Sequence, residues 1–224
     1  MGCSSGPDVV EDGLVLCLDA ASKRSYSGSG TTWSDLVGGE DFTLYNSPVF
    51  SNENCGIFTF GSADEYAVCD VGFPAISIAN GFSMRVLCRS TTTSTQVFCS
   101  YNSPGTNNGI RFQKYKTSLH FTFGAVADYN TGVSFSSFCD GDWKDLVLTT
   151  DNSNATIYIN GEQVHTRSVS APIMTNVSRV DMGRSGYMNS HFYSGDIGIF
   201  SMYNKILTAE EIRRNYLSTK ERYQ

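Results

Sequence analysis

The sequence lacks three features that would assign it to common functional classes. It contains no Cys-x-x-Cys pair, so a structural zinc site is not expected. No apolar run approaches the roughly 18 residues that a membrane-spanning helix needs, so we expect no such segment. The 16 Lys and Arg residues are scattered, and the net charge is −6. A nucleic-acid partner is therefore not expected, because phosphate binding needs a concentrated basic face.

The N-terminus lacks the features of a targeting signal. Residues 1–12 have neither a basic segment nor an apolar core, so we expect no secretory signal peptide. We interpret this segment as a flexible arm, with the alternative that it is an attachment arm that becomes ordered on a partner.

Seven cysteines are present, an odd number, and several lie inside apolar strand patterns. Buried free thiols explain this better than a disulfide framework, and they indicate assembly in a reducing cytoplasm. Cys88 and Cys99 flank a Ser/Thr-rich turn, so a hairpin that places them face to face is one alternative.

Charged residues are also scarce, at 17% of the chain. Ser, Thr, Asn, Gly and aromatic residues take their place, and about a dozen short β-rich segments alternate with turn signals. This pattern predicts an all-β protein, a β-sandwich or barrel with one short C-terminal helix. Asn160-Gly161 lies between two β-rich arms, which predicts a hairpin with a type I′ turn.

The helix is predicted near the C-terminus, in residues 207–220. Thr208 and Glu211 have the spacing of a capping box at its start. Ile212, Tyr216 and Leu217 fall on one side, which we predict to be the buried face.

Three segments resemble one family when they are taken together. Residues 13–36, "GLVLCLDAASKRSYSGSGTTWSDL", resemble the opening strand and loop of concanavalin A-like jelly rolls of the laminin-G/pentraxin-like branch. Residues 141–164 are similar to the central Trp-containing strand and hairpin of that branch, and residues 195–212 to its last strand and closing helix. The resemblance implies a two-sheet antiparallel jelly-roll β-sandwich with one short C-terminal helix, in one domain over residues 13–217 that is followed by a tail at 218–224.

The resemblance also implies a setting. Short chains of this family look most like virion proteins of tailed bacteriophages, so we expect a non-enzymatic surface subunit that decorates or cements a capsid. Its expected partners are capsid or fibre subunits in a multimeric assembly, with weak binding to a host-surface glycan. A lectin-like adhesin at a fibre tip is the main alternative, and a structural domain without a glycan role is the third.

Motifs for catalysis are missing. Hydrolases with this fold usually carry Glu-x-Asp-x-Glu on one strand, which the sequence does not contain. There is no Gly-x-Ser-x-Gly nucleophile motif either, and His120 alternates with Phe121 as a strand residue does. We therefore expect no enzymatic activity.

Aromatic and planar polar residues occur together in three segments interpreted as loops, a combination typical of sugar-binding sites. The same residues also suit ordinary loops and packing between sheets. The carbohydrate-binding candidates are Tyr101, Asn102, Tyr129, Asn130, Arg184, Tyr187 and Asn189.

Two acidic turns offer oxygen ligands for calcium, which prefers six to eight of them. Asp and Asn are also the commonest residues of β-turns, because their side chains hydrogen-bond the neighbouring backbone. The calcium candidates are Asp140, Asp142, Asp151 and Asn154. No other cofactor is expected.

Overall fold

The computed structural model describes residues 8–38, 40–61, 64–70, 72–174 and 176–223. Within these ranges the chain forms short strands and one α-helix, α1 (Ala209–Thr219). The strands are β1 (Leu14–Asp19), β2 (Thr32–Trp33), β3 (Phe42–Tyr45), β4 (Val49–Ser51), β5 (Ile57–Phe60), β6 (Tyr66–Cys69), β7 (Phe82–Arg89), β8 (Gln96–Asn102), β9 (Gly109–Tyr115), β10 (Ser118–Phe123), β11 (Ala127–Ser134), β12 (Lys144–Thr150), β13 (Asn154–Ile159), β14 (Glu162–Ser168), β15 (Arg179–Met182) and β16 (Gly195–Tyr203).

The strands form two antiparallel sheets packed as a sandwich, which confirms the predicted fold class. Sheet A has the order β14-β13-β12-β7-β16-β5-β4, and β1 also pairs with β16. Sheet B has the order β11-β10-β9-β8-β15-β6-β3-β2.

Alternation of side chains along the strands builds the core between the sheets. In β10, Leu119 and Phe121 are buried in the core cluster, while His120 and Thr122 alternate with them on the other face of sheet B. Trp33 and Phe58 pack with ring centroids 4.6 Å apart, and Phe98 lies 5.8 Å from Phe112 in the same cluster. These large rings account for much of the apolar area that folding removes from water.

The predicted hairpin turn is confirmed. Ile159 pairs with Glu162, which leaves Asn160 and Gly161 as a two-residue connection between β13 and β14. Their φ values are +54° and +82°, the left-handed conformation that a type I′ turn requires at both positions.

The capping box of α1 is confirmed as well. The Thr208 hydroxyl accepts a hydrogen bond from the Glu211 amide at 3.2 Å, and the Glu211 carboxylate accepts one from the Thr208 amide at 2.9 Å. The predicted buried face is wrong in part, because the buried residues are Ile212, Asn215 and Thr219.

A buried ion pair explains this polar helix face. Arg85 and Asp145 lie on the outer face of sheet A, with Arg85 Nη2 2.9 Å from Asp145 Oδ2 and both side chains almost fully buried. Arg85 Nη2 also donates to the Asn215 carbonyl at 3.1 Å and to the Thr219 hydroxyl at 2.8 Å. The helix therefore covers a charged pair, and its inner face supplies hydrogen-bond acceptors to it.

Both ends of the described chain pack on the sandwich. Val10 is buried, and its amide donates to the Asn215 side chain at 2.8 Å, so the last part of the predicted arm is held against α1. Residues 1–7 of that arm lie outside the described residues. The helix continues beyond residue 217, and Tyr223 of the predicted tail is buried against Trp143.

Among the described residues, Cys17, Cys88, Cys99 and Cys139 form no disulfide. The alternative of a hairpin between Cys88 and Cys99 is wrong, since β7 belongs to sheet A and β8 to sheet B, and residues 90–95 cross from one sheet to the other. Both thiols lie in the core, where burial raises their pKa. Among the helices described, none has the length and apolar character needed to cross a membrane.

Candidate functional site

The outer face of sheet B displays polar and charged side chains. In β15, Val180 and Met182 belong to the core, so Arg179 and Asp181 point away from it. Asp181 pairs with Ser100 of β8 on one side and with Val68 of β6 on the other. β15 therefore places a charged pair in the middle of this face.

The Asp181 carboxylate is fully buried and organises its surroundings. It accepts hydrogen bonds from Arg179 Nε at 2.8 Å and Nη2 at 3.0 Å, from Arg184 Nε at 2.8 Å and from Asn102 Nδ2 at 3.2 Å. A buried carboxylate requires such donors, because desolvation of the charge is costly without them. Asp181 consequently fixes the positions of two guanidinium groups.

Two tyrosines continue this arrangement. The Arg184 guanidinium carbon lies 3.4 Å from the centroid of the Tyr66 ring, a cation–π contact. Tyr66 in turn stacks on Tyr45, its partner across β3 and β6, with centroids 4.8 Å apart and an interplanar angle of 12°. Tyr45 is 39% exposed, so the stack ends in a ring that solvent can reach.

Residues 184–192 form a loop across the same face, which we call the 184–192 loop. Its ends are tied together by a hydrogen bond from the Ser185 amide to the Ser190 carbonyl at 2.9 Å. Gly186 lies directly on Asp181, where a Cβ would overlap the carboxylate. Asn189 has a φ of +47° and accepts a hydrogen bond from Arg184 Nη1 at 2.6 Å. The loop therefore covers Asp181 and leaves the outer edge of Arg184 at the surface of a cavity.

The cavity, here called the loop cavity, has a volume of about 420 Å³. Its walls combine guanidinium, amide, carboxylate and aromatic groups. The lining residues are Asn46, Asp64, Tyr66, Arg179, Arg184, Gly186, Asn189 and Phe192. Asn46 is held in place by a hydrogen bond from its Nδ2 to the Asp64 carbonyl, 2.7 Å long.

Carboxylates outnumber guanidinium groups around the loop cavity. The two guanidinium groups face three carboxylates: Asp181 between them, Asp70 paired with Arg179, and Asp64 on the wall. A strongly anionic ligand gains little from such a site. Planar groups that donate and accept hydrogen bonds beside an aromatic ring suit an uncharged polyhydroxylated molecule.

Four of the predicted carbohydrate-binding residues lie in or next to the loop cavity. Arg184 and Asn189 line it, and Tyr187 is 40% exposed on the 184–192 loop. Asn102 is buried beneath the loop, where it holds Asp181. The structure therefore brings Arg184, Asn189, Tyr187 and Asn102 into one region.

Tyr101 is placed differently, as part of the core. It is fully buried, and its hydroxyl donates to the Pro74 carbonyl at 3.0 Å and accepts from the Ile76 amide at 2.9 Å. The prediction that the Tyr101 ring faces a sugar is therefore wrong, because the ring is buried in the core between the two sheets.

Tyr129 and Asn130 belong to strand β11 and not to a loop. The Tyr129 ring packs in the core cluster against Phe121, 4.9 Å away, and Arg167 covers it at 4.9 Å. Asn130 is exposed and accepts a hydrogen bond from the Gly132 amide at 2.7 Å. These two residues lie on the edge strand of sheet B, away from the residues that line the loop cavity.

The calcium candidates fall into two separate turns. Lys144 Nζ lies 2.8 Å from Asp140 and 3.7 Å from Asp142, while Asp151 accepts hydrogen bonds from two backbone amides of its own turn. Strand β12 separates these turns by about 20 Å, at ~3.3 Å per residue. Within the residues described, no group of three or more His, Cys, Asp or Glu side chains could hold a metal ion.

Tyr45, Tyr66, Arg179 and Asp181 were not among the predicted site residues. The one sequence signal for them is the segment "RVDMGR", residues 179–184, in which two charged residues alternate with core residues on a strand. Tyr66 and Tyr45 lie 118 and 139 residues before Arg184 in the chain, so only the sheet topology brings them to it.

Comparisons with known proteins agree with this fold. The sequence model described as the Concanavalin A-like lectin/glucanases superfamily matches residues 61–213. A search of curated proteins gives no match.

Solved structures of two kinds are similar to the chain. Trypanosoma rangeli sialidase in complex with the inhibitor DANA has a TM-score of 0.65 at 19% identity, over 100% of this chain and 36% of the sialidase. The binding domain of botulinum neurotoxin serotype G has a TM-score of 0.65 at 17% identity, over 91% of this chain and 50% of that domain. The neurotoxin DC binding domain in complex with rat synaptotagmin II has a TM-score of 0.66 at 15% identity, over 91% and 51%. The chain thus spans about a third to a half of these proteins, and the likeness concerns the fold.

Proposed function

The chain belongs to the concanavalin A-like lectin/glucanases superfamily, and from this premise we propose that it is a non-enzymatic module that binds a carbohydrate in the loop cavity. The observation that carries the proposal is the stack of Arg184, Tyr66 and Tyr45, whose guanidinium end is fixed by the buried Asp181. This arrangement presents aromatic surface and oriented hydrogen-bond groups in one cavity, before any ligand arrives.

The expected ligand is a neutral or weakly charged glycan. Sugar rings present C–H groups on one face and hydroxyl groups around the edge, so the Phe192 ring on the cavity wall and planar side chains complement both. Asn46, Asn189 and Arg184 supply these planar side chains around the cavity. Since they are held by their own hydrogen bonds, little side-chain entropy is lost on binding.

A binding role without catalysis is supported by the state of the central carboxylate. Asp181 accepts four hydrogen bonds from three side chains and is covered by Gly186, so it is not placed to give or take a proton from a ligand. Glycoside hydrolysis requires two carboxyl groups on opposite sides of the scissile bond. Two of the similar solved structures are themselves described as binding domains.

The test is a glycan array probed with the purified protein and two variants. We expect the wild-type protein to bind a defined set of glycans, and Tyr66→Ala and Arg184→Ala to lose that binding by at least about tenfold. Arg213→Ala is the matched control, since Arg213 is exposed on α1 and pairs with Glu162. Equal binding by all four proteins, or none by the wild type, would exclude the loop cavity as a glycan site.

For the setting, we propose the surface of a bacteriophage particle, with capsid or fibre subunits as partners. This proposal is supported by the resemblance of residues 13–36, 141–164 and 195–212 to the laminin-G/pentraxin-like branch, whose short chains look most like virion proteins of tailed bacteriophages. Quantitative mass spectrometry of purified particles from the source tests it. Hundreds of copies per particle indicate a decoration subunit, a handful a fibre component, and absence from the particles rejects the proposal.

A further inference from the structure

A second polar site lies on the outer face of sheet B, around Arg111 of β9. Arg111 is only 8% exposed. Its Nη1 donates to the Asn107 side chain at 2.8 Å, but its Nε is buried without a hydrogen-bond partner. Within the described residues, no carboxylate forms an ion pair with it. A buried guanidinium in this state is costly, because the protein does not replace the water that solvates it in the unfolded chain.

Arg111 lines a cavity of about 200 Å³ at the end of the β10–β11 hairpin. Asp128 of β11 forms the opposite wall and accepts a hydrogen bond from the Thr122 hydroxyl. Thr122 in turn accepts one from Gln113 Nε2 at 2.8 Å. Burial lowers the pKa of Arg111, and the charge of Asp128 offsets part of that effect. The cavity therefore places a cation that has no ion-pair partner among the described residues opposite an acceptor that is fixed.

These two groups together select a type of ligand. A guanidinium pairs best with a planar carboxylate, which can accept two parallel hydrogen bonds. A free dianionic phosphate would be repelled by Asp128, whereas hydroxyl groups would donate to it. A sugar acid offers a single carboxylate and several hydroxyl groups in one small molecule.

We propose that the cavity lined by Arg111 and Asp128 binds the carboxylate of an acidic sugar. Arg111 pairs with that carboxylate, and Asp128 accepts a hydrogen bond from a hydroxyl group of the same sugar. The site is distinct from the loop cavity. Arg111, Ser100 and Asp181 are aligned across β9, β8 and β15, which puts Arg111 about 10 Å from Asp181 at ~4.8 Å per strand. The 184–192 loop covers Asp181. The loop cavity and the cavity at Arg111 have no lining residue in common.

Calorimetric titration with matched probes tests the proposal. The probes are the methyl glycosides of glucuronic acid and of N-acetylneuraminic acid, each compared with its methyl ester, which has the same shape without the charge. We expect the wild-type protein to bind at least one acid about tenfold or more tightly than its ester. Equal affinity for acid and ester, or no binding at millimolar concentration, overturns the proposal.

Variants locate the binding. Arg111→Gln should remove the preference for the acid, and Arg213→Gln, at an exposed arginine of α1, should keep it. Val126→Trp should also remove the preference for the acid. Val126 is an exposed residue of the turn that lines the cavity, and an indole ring there would fill it. A preference that survives Arg111→Gln, or one that disappears in Arg213→Gln, contradicts the assignment. Failure of the glycan array would leave this test unaffected, since it does not depend on the loop cavity.

Discussion

Asp181 shows how one residue sets the geometry of a surface that it does not reach. Its carboxylate is buried, yet it orients Arg179 and Arg184, whose outer edges line the loop cavity. Removing it would leave two guanidinium groups without their common acceptor. Under the proposed function, its role is to position the groups that would contact the ligand.

Residues that the sequence groups by both chemistry and locality lie close together in the structure, whereas their predicted role in sugar binding stays a prediction. Arg184 and Asn189 were chosen because they lie in one polar loop, and they contact each other in the structure. Tyr101 was chosen for its residue type, but its position in β8 points the ring into the core. Residue type alone does not tell which face of a strand a tyrosine occupies, since that depends on the register of both neighbouring strands.

His120 should make the stability of the protein sensitive to mild acid. Burial lowers its pKa, with Lys116 adding to this effect and Asp128 opposing it. The unfolded chain, with a histidine pKa of about 6.5, then binds more protons than the folded chain as the pH falls below 7. The free energy of unfolding therefore decreases from pH 7.5 to pH 5.5.

Thermal unfolding followed by circular dichroism at both pH values checks this expectation. The melting temperature of the wild type should fall with the pH, and that of His120→Gln should fall less. The other two histidines also have a lowered pKa, so part of the effect remains in the variant. An equal fall in both proteins would show that His120 is not responsible.

At the scale of elements, helix α1 is held by a charge pair beneath it. The capping box was predictable from the sequence because it depends on residues three apart. The buried face was not, because it depends on Arg85 and Asp145, which lie 60 residues apart and meet on neighbouring strands. An amphipathic pattern identifies the apolar side of a helix. In α1, the hydrogen bonds that Arg85 donates decide which side of the helix faces sheet A.

Strand β11 was missed for a related reason. Asp, Asn and Gly disfavour strands, and they make up a large part of residues 127–134. The alternation is present, with Tyr129 and Thr131 buried and Asp128 and Asn130 exposed. Because β11 is an edge strand with a solvated outer face, its polar residues are tolerated there.

Asp145→Ala should destabilise the protein strongly. The variant leaves the Arg85 charge buried without its partner, which typically costs about 3–5 kcal/mol. Urea unfolding measures the loss, and Arg85→Met in the same chain should recover most of it, since no buried charge then remains. Glu162→Ala is the control for an exposed pair, where we expect less than about 1 kcal/mol. A similar loss for Asp145→Ala and Glu162→Ala would contradict this account of α1.

Gly186→Ala should disrupt the 184–192 loop. The added Cβ would overlap the Asp181 carboxylate, so the loop must move away from sheet B and Arg184 must lose its present contacts. We expect glycan affinity to fall by at least about tenfold in calorimetric titration. Gly61→Ala is the matched control, because a Cβ there meets no atom within 4 Å. Unchanged affinity in Gly186→Ala would show that the loop position does not matter for binding.

At the scale of the whole molecule, the two outer faces differ in what covers them. Sheet A is covered by α1, by Val10 and by the packing of Tyr223 on Trp143. The outer face of sheet B displays polar and charged side chains and contains the two cavities. The fold was predictable from strand patterns and family motifs, whereas this asymmetry arises from contacts between distant segments.

Chelation of calcium should leave the stability unchanged. Asp140 is paired with Lys144, and Asp151 accepts bonds from its own turn, so a cation would have to displace these partners. A ligand that binds only the folded state raises the melting temperature, and its removal lowers it. Melting curves with EDTA and with added calcium should therefore coincide, and a lower melting temperature in EDTA would show that a calcium site exists.

The central claim is that a glycan binds on the outer face of sheet B, in the loop cavity. The most direct measurement is a titration of the isotopically labelled protein, followed by two-dimensional NMR, with the glycan that binds best on the array. We expect the largest shifts at the amides of Asn46, Tyr66, Arg184 and Asn189, with the residues around α1 unaffected. Shifts confined to the face of sheet A around α1, or no shifts at saturating glycan, would contradict the account.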